Sequence, residues 1–427
     1  MYRPAALGTL AIVLSTLLGA QTAAAGCLGL SRRSLPHEHP QCWPLQLVSA
    51  SLAITVHYQQ AADRSMAASV LSSSEQAWRE QVDNMGLRSP LPDGGLAGSD
   101  GNFDVYLWRG QNAGYVVPIG NDPSTLRDDR ITIMVIDPWG AWGGPLLPST
   151  IQHEFHHACQ AAYSWSEHPS FYESSATFTE TELAGSAALL GFVFEDFQDR
   201  PHWSLARYDR YRTWYTYGSA LYWMFLRDRY FSGTVDFLAQ IWQRSVGGTE
   251  GAGSDDEPDF VDATNALLSE SRGVSYTESV IEFSRWRWYT GDRDDGLHIR
   301  DAALLAQPAT KRTVRTTSGR KTRVALRPAP QIYGSTYIRL RGPASGPLGR
   351  TINLTVRGHQ RARLVVQALP GPDGSDGEFL DFSSGPASLS LSPGATRTLV
   401  VTAVPLEGTP YDANARPRRQ GARMVIY

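Results

Sequence analysis

The sequence predicts an α+β chain in two parts, a mixed sheet with a helical subdomain followed by an all-β unit. Three observations carry this expectation. Up to about residue 300, short β-rich strands give way to long segments of helical periodicity. Beyond Arg300 the pattern changes to short alternating segments separated by Gly and Pro, as in a β-sandwich. The charge changes at the same place: from Asp301 onward 18 Arg and Lys outnumber 7 Asp and Glu, although the 427-residue chain as a whole carries −3. The expected organisation is therefore a leader at 1–25, a first domain at 26–300 and a second at 301–427. With 42% hydrophobic residues the chain can bury a substantial core.

The first residues have the order of a secretory signal peptide: Arg3, an apolar stretch from Ala5 to Leu18, then Ala23, Ala24 and Ala25. The apolar stretch is too short for a good membrane-spanning helix, and nothing later is long and apolar enough, so no transmembrane segment is expected. Cys27 and Cys42 enclose a short loop that an oxidising compartment can close as a disulfide, leaving Cys159 as a buried thiol. Ala24-Ala25-Gly26-Cys27 reads alternatively as a lipoprotein box with Cys27 lipidated. The missing Leu at the first box position favours a secreted or periplasmic product over an anchored one.

Leu47 to Tyr58 alternates and is rich in β-formers, predicting a strand, and Met66, Val70, Trp78, Val82 and Met85 then recur at helical spacing. A Gly/Asp/Pro-rich loop from Pro90 to Asn102 leads to strands at Phe103–Trp108, Gly114–Val117 and Ile131–Ile136. Within that loop Asp100, Asn102 and Asp104 have the alternate-residue spacing of a calcium loop, but no Glu follows at the required distance, which favours turn chemistry. Ser149 and Gln152 read as a capping box opening a helix whose apolar side is Ile151, Phe155, Ala158, Cys159 and Ala162. Further helices are expected over roughly Tyr172–Leu190, Tyr217–Tyr230, Thr234–Ser245 and Tyr276–Tyr289. In the second part, strands are expected at Thr322–Arg327, Thr336–Leu340, Ile352–Val356, Arg363–Ala368, Ser388–Leu391, Arg397–Val404 and Arg423–Tyr427. Its Arg residues are scattered along these segments and form no single run, so nucleic acid is not an expected partner. The sequence carries no signal for an oligomeric state.

His153-Glu154-Phe155-His156-His157 contains the pattern His-Glu-x-x-His, which on a helix projects His153 and His157 from one face. Two such imidazoles can share one ion. Zn2+ suits them, because a third protein ligand leaves one position open for water. Glu154 lies about 100° round the helix from His153, where its carboxylate can take a proton from that water without binding metal. His156 is expected as a neighbouring polar group rather than a ligand. The third ligand is sought in Tyr172-Glu173-Ser174-Ser175-Ala176-Thr177-Phe178-Thr179-Glu180.

On these residues the chain resembles the gluzincin branch of HExxH metallopeptidases, whose second helix carries Trp-x-x-Glu-Gly-x-Ala-x-Tyr-x-Glu. Glu173, Ala176, Phe178 and Glu180 match, whereas Ser170 replaces the Trp and Ser174 the Gly. The resemblance implies Glu173 on zinc, against the alternative that Glu173 completes a capping box with Ser170. Glu180 falls seven residues after Glu173, on nearly the same helix face, and is the candidate acceptor for a ligand imidazole, against the reading of a solvated surface carboxylate. Tyr215-Thr216-Tyr217-Gly218 resembles the Tyr-x-x-Gly segment of the aminopeptidase-like members, which makes Tyr215 the candidate oxyanion donor with Tyr217 a close competitor. Metzincins would place Gly and His where Gln160 and Tyr163 stand, so a three-histidine site is not expected.

Trp288 to Gly296 and Tyr333 to Ile338 are similar to segments of secreted HExxH metallopeptidases of myxobacteria and their relatives, whose function is itself inferred. Asp292, Asp294 and Asp295 in the first segment offer a second possible Ca2+ site, for which a hydrogen-bonded turn is the competing reading. Together the resemblances imply a zincin-like catalytic domain with an appended β-sandwich, an edge strand at Gly114–Val117 that receives an extended peptide, and a peptide or protein substrate. A zinc aminopeptidase is less compatible, since no Gly-Ala-Met-Glu-Asn-like strand precedes the motif. A noncatalytic binding or adhesion protein with a structural or decayed zinc site is the other rival, and intact Glu154 argues against decay.

Overall fold

The computed structural model describes residues 27, 30 and 34–427, apart from 98–99, 112, 186–189, 247–257, 317–321, 343–353, 358–361, 370–379, 382–393, 416–417, 421–422 and 427. The expected leader and the strand expected at Ser388–Leu391 lie outside these residues. The architecture is mixed α+β. Where alternation predicts one strand from Leu47 to Tyr58, Leu45–Val48 (β1) and Ile54–Tyr58 (β2) form an antiparallel hairpin. The Ser49 hydroxyl breaks the run by accepting from the N–H groups of Ser51 and Leu52.

Arg64–Trp78 (α1) follows and winds on into a wider π turn over Arg79–Asn84. Phe103–Leu107 (β3), Gly114–Asn121 (β4) and Arg130–Ile136 (β5) complete a sheet of order β1-β2-β3-β5-β4. β2, β3 and β5 run parallel, and β4 closes the edge antiparallel to β5. β2 and β3 are buried along their whole length because both faces are covered, which is why they read as continuous apolar runs. Trp43, Tyr106, Trp108, Ile133 and Val135 pack on one face, while α1 and the next helix lie against the other.

The helical layer comprises Leu147–Ala161 (α2), Pro169–Leu183 (α3), Gly191–Asp199 (α4), the single turn Tyr215–Gly218 (α5), Ala220–Arg229 (α6), Phe237–Arg244 (α7), Phe260–Arg272 (α8) and Tyr276–Trp286 (α9). α2 buries Ile151, Phe155, Ala158 and Cys159 completely against the sheet and α1, as its periodicity predicts. Burying side chains such as Ile151 and Phe155 contributes roughly 1.5–3 kcal/mol each. The helix starts earlier than expected, at Leu147 with Pro148 in its first turn and no side-chain cap. Ser149 and Gln152 therefore lie inside it, and their side chains reach Glu180 and Glu80 instead of the helix's own amides.

After residue 300, Thr310–Arg315 (β6), Thr322–Ala325 (β7), Ser335–Arg341 (β8), Leu354–Arg357 (β9), Arg363–Leu369 (β10), Leu380–Asp381 (β11), Thr396–Val404 (β12) and Arg423–Ile426 (β13) form two sheets. One has the order β11-β10-β12-β8-β6 and is mixed, because β6 runs parallel to β8; the other is the antiparallel set β7-β13-β9. Cys27 and Cys42 are joined in a disulfide, and Cys159 is a free, buried thiol. No helix among the described residues is long and apolar enough to cross a membrane.

Candidate metal centre

α2 and α3 lie side by side, and their facing sides carry the residues singled out in the sequence. His153 and His157, one turn apart on α2, point their Nε2 atoms at each other at 3.1 Å. Glu173 on α3 brings Oε2 to 3.4 Å from His153 Nε2 and 3.6 Å from His157 Nε2. A tetrahedral ion with metal–nitrogen bonds near 2.0–2.1 Å has ligand atoms about 3.3 Å apart, so the three separations are those of one face of such a polyhedron.

The hydrogen bonds behind the donors fix their chemistry. His153 Nδ1 lies 3.0 Å from Glu180 Oε2, and the other Glu180 oxygen accepts from the Ser149 hydroxyl. His157 Nδ1 lies 2.7 Å from Gln160 Oε1. Gln160 in turn donates its amide nitrogen to the Tyr172 carbonyl and to Ser175 Oγ, which orients its oxygen toward the imidazole. Both Nδ1 atoms face acceptors and so carry the protons, leaving the Nε2 lone pairs directed at one another. Glu173 Oε2 is buried and makes no hydrogen bond of ordinary geometry. Three electron-rich atoms thus converge in a buried place with no donor among them, an arrangement that a shared cation relieves. Zinc fits this donor set, with two imidazoles and one carboxylate.

Any proton that these groups take up without an ion goes to the rings and not to Glu173: against the burial that alone would raise it, His153 and His157 as imidazolium neighbours hold the Glu173 carboxyl well below the usual carboxylate range, the place a cation otherwise fills. The Glu154 carboxyl behaves oppositely: burial raises it, and the two imidazoles only partly offset this. Strand β4 passes directly over Glu154. A Cβ built on Gly114 would stand 2.7 Å from Glu154 Cγ and 2.8 Å from Ile136 Cδ1, so only glycine lets the strand come this close.

A cleft of about 420 Å³ opens beside the donors, lined by Gly114, Tyr115, Val116, Trp165, Tyr172, Tyr211 and Tyr217 together with His153, Glu154, His157 and Glu173. A second cavity of about 170 Å³ shares Gly114, His153, Glu154 and Tyr217 and continues toward Trp142, Val193 and Trp214. Space is therefore present on both sides of Glu154.

Tyr215 is not part of it. Its ring is fully buried, and its hydroxyl donates to the carbonyls of Trp203 at 2.9 Å and Ser204 at 3.1 Å. The one-turn helix α5 turns Tyr215 inward and Tyr217 outward, so the oxyanion expectation fails for Tyr215 and its position in the cleft passes to Tyr217. Glu173 makes no capping box with Ser170: His168 caps α3, accepting from the Ser170 N–H. His156 points to the opposite side of α2, where its Nδ1 meets Gln81 Oε1 in the π turn at 3.0 Å.

Gln160 and Tyr211 were not foreseen. Gln160 stands three residues after His157, the spacing that places side chains on one helix face, and that was the available signal. Tyr211 lies in an irregular segment and adopts a positive φ of 58°, so no periodicity could find it. Asp294 and Asp295 accept from the N–H groups of Gly296 and Leu297, which is the turn chemistry that competed with calcium there. No family model matches the chain, and no curated protein matches it.

Proposed function

We propose that this chain is a secreted zinc-dependent metallopeptidase that hydrolyses peptide bonds, with a zincin-like cleft formed by the first sheet and the helical layer and with the later strands as an appended β-sandwich. One observation carries the reading: the Nε2 atoms of His153 and His157 and the donorless Glu173 Oε2 stand 3.1–3.6 Å apart on the wall of an open cleft, with their Nδ1 protons already taken up elsewhere. Zinc held there by His153, His157 and Glu173 would supply Lewis acidity, lowering the pKa of water and polarising a carbonyl.

The remaining roles belong to the protein. An extended peptide adding to the edge strand β4 would carry its carbonyl past Glu154, which lies directly under Gly114. Glu154 accepts a proton from the attacking water and returns it to the leaving amine. A carboxyl raised by burial suits both halves of that task. Tyr217 lines both cavities beside Glu154, which supports it as the phenol that donates to the developing oxyanion. Burial and then the Glu173 charge keep its hydroxyl protonated. Room on both sides of Glu154 supports an endopeptidase rather than an enzyme that trims chain ends.

The test pairs metal content with casein hydrolysis, with and without chelator. Glu154→Gln is expected to retain zinc near the parent's level while losing most activity, on the order of a thousand-fold. A parent that binds zinc stoichiometrically yet cleaves nothing would leave the binding-protein reading standing. A Glu154→Gln variant as fast as the parent would remove Glu154 from the chemistry.

A further inference from the structure

We propose that Asp93, Asp100 and Asp104 form a calcium site that fastens the loop between α1 and β3 onto the first sheet. One oxygen from each of the three carboxylates lies within 4.8 Å of the others. Calcium takes oxygens at about 2.3–2.6 Å, so ligands on opposite sides of one ion stand about 5 Å apart, and the three fit a single ion.

Two of the three carboxylates are wholly inaccessible. Asp93 is 0% exposed, and its two oxygens accept from the Gly95 and Ala97 N–H groups at 2.8 and 2.7 Å, which locks the carboxylate in place. Asp104 is also 0% exposed; Oδ1 takes His57 Nε2 at 2.6 Å, while Oδ2 is buried without any hydrogen-bond partner. A buried anionic oxygen with no donor is costly unless a cation stands beside it. Asp100 is the exposed member and gives the ion its route in; its carboxylate is steadied by the Thr55 hydroxyl at 2.6 Å. Thr55 itself sits opposite Asp104 in the parallel register of β2 and β3.

The balance of charge points the same way. Three carboxylates meet, and among the described residues the ion pairs they form reduce to His57 on Asp104, with His37 within electrostatic reach of Asp93. All the converging donors are oxygens, and the His57 nitrogen that faces the cluster is already engaged, so the set suits a hard oxygen-seeking ion rather than zinc. Asn102, the middle residue of the alternate-residue pattern, turns its amide nitrogen to Thr55 and Asp100 and stays outside the set. Asp93 takes its place, eleven residues before Asp104, because Gly94 and Gly101 adopt positive φ values of 61° and 74° that let the loop double back.

The experiment uses the full chain with zinc saturated and calcium removed. Terbium is added and its luminescence excited through the aromatic side chains, among which Tyr106 donates its hydroxyl to Ala97 in the same loop; calcium is then titrated in as competitor, and the unfolding midpoint is followed in parallel. The expected result is terbium displacement by calcium, a raised unfolding midpoint, and a loss of calcium affinity on the order of ten-fold or more in Asp104→Asn and in Asp100→Asn. Asp100→Asn changes an exposed side chain and keeps the test decisive should the buried substitution prevent folding. Absence of calcium uptake up to about 10 mM, uptake unchanged in the variants, or an equal response to magnesium would each overturn the proposal.

Discussion

Tyr215 and Tyr217 stand two residues apart on one helical turn and have opposite surroundings. Tyr215 closes two carbonyls in the interior, whereas Tyr217 stacks beside the His153 ring, with centroids 6.0 Å apart, at the cleft. Removing one hydroxyl from each therefore separates stability from chemistry. Tyr215→Phe leaves the Trp203 and Ser204 carbonyls short of a donor and is expected to cost about 1–3 kcal/mol of stability with kcat nearly unchanged. Tyr217→Phe is expected to lower kcat about a hundred-fold or more while zinc content and unfolding midpoint stay at the parent's values. Steady-state kinetics and denaturant melts on the two variants check this, and a normal kcat in Tyr217→Phe would remove it from the oxyanion. The sequence motif led to a tyrosine that the fold keeps out of the cleft, because Tyr-x-x-Gly marks a turn and does not say which side of the turn faces outward.

Helix α3, which carries both Glu173 and Glu180, begins on a titratable cap. His168 accepts from the Ser170 N–H through Nδ1, a role open only to the neutral ring, and burial holds the imidazole down at about 4 against an ordinary 6.5. Between these values the unfolded chain binds a proton that the folded chain refuses, so stability rises with pH across that window and is lost as pH falls from about 6.5 to about 4, by up to roughly 3 kcal/mol. His202, also lowered to about 4 by burial and then by Arg419, acts with the same sign. His168→Asn keeps a cap acceptor without the titration. Denaturant melts at a series of pH values are expected to show a shallower slope in this variant, and an identical slope would mean that His168 charges freely in the folded protein.

The same helices mark what a sequence can and cannot reveal. The inward face of α2 and the pairing of His153 with His157 follow from local periodicity, and they lie where periodicity puts them. The caps do not, since Ser149 is drawn to Glu180, 31 residues away, and His168 replaces the expected Ser170. Helix α8 was missed although its signals are local: Asp259 accepts from the Val261 and Asp262 N–H groups, and Gly273 ends the helix at φ 66°. Asp93 was invisible for the opposite reason, because nothing in its neighbourhood states that the loop folds back on Asp104.

At the scale of the whole molecule, the expected boundary at residue 300 is crossed by continuous packing. Tyr333 meets the Tyr276 ring edge-on with centroids 5.0 Å apart, Tyr337 stacks on Trp288 and donates to the Ser284 carbonyl, and Thr402 donates to Ser284 Oγ. The Gln331 N–H donates to the His202 carbonyl while its side chain accepts from the Ser204 N–H, so the later strands also brace the segment whose carbonyls hold Tyr215. Val365, Val404 and Ala413 belong to the same buried cluster as the helical layer. Cutting the chain after Arg300 would uncover Tyr276 and Trp288 and strip partners from Ser284, His202 and Ser204. At roughly 1.5–3 kcal/mol for each large side chain returned to water, with the lost hydrogen bonds added, the loss reaches the lower part of the 5–15 kcal/mol by which a domain is ordinarily stable. A fragment spanning 26–300 is therefore expected to lack a cooperative thermal transition and to hold zinc weakly, because Glu173 and the two imidazoles converge only while α2 and α3 keep their register. Calorimetry and metal content on that fragment decide the matter: one sharp transition with stoichiometric zinc would make the later strands a dispensable appendage, and its absence would make them part of the scaffold that holds the cleft.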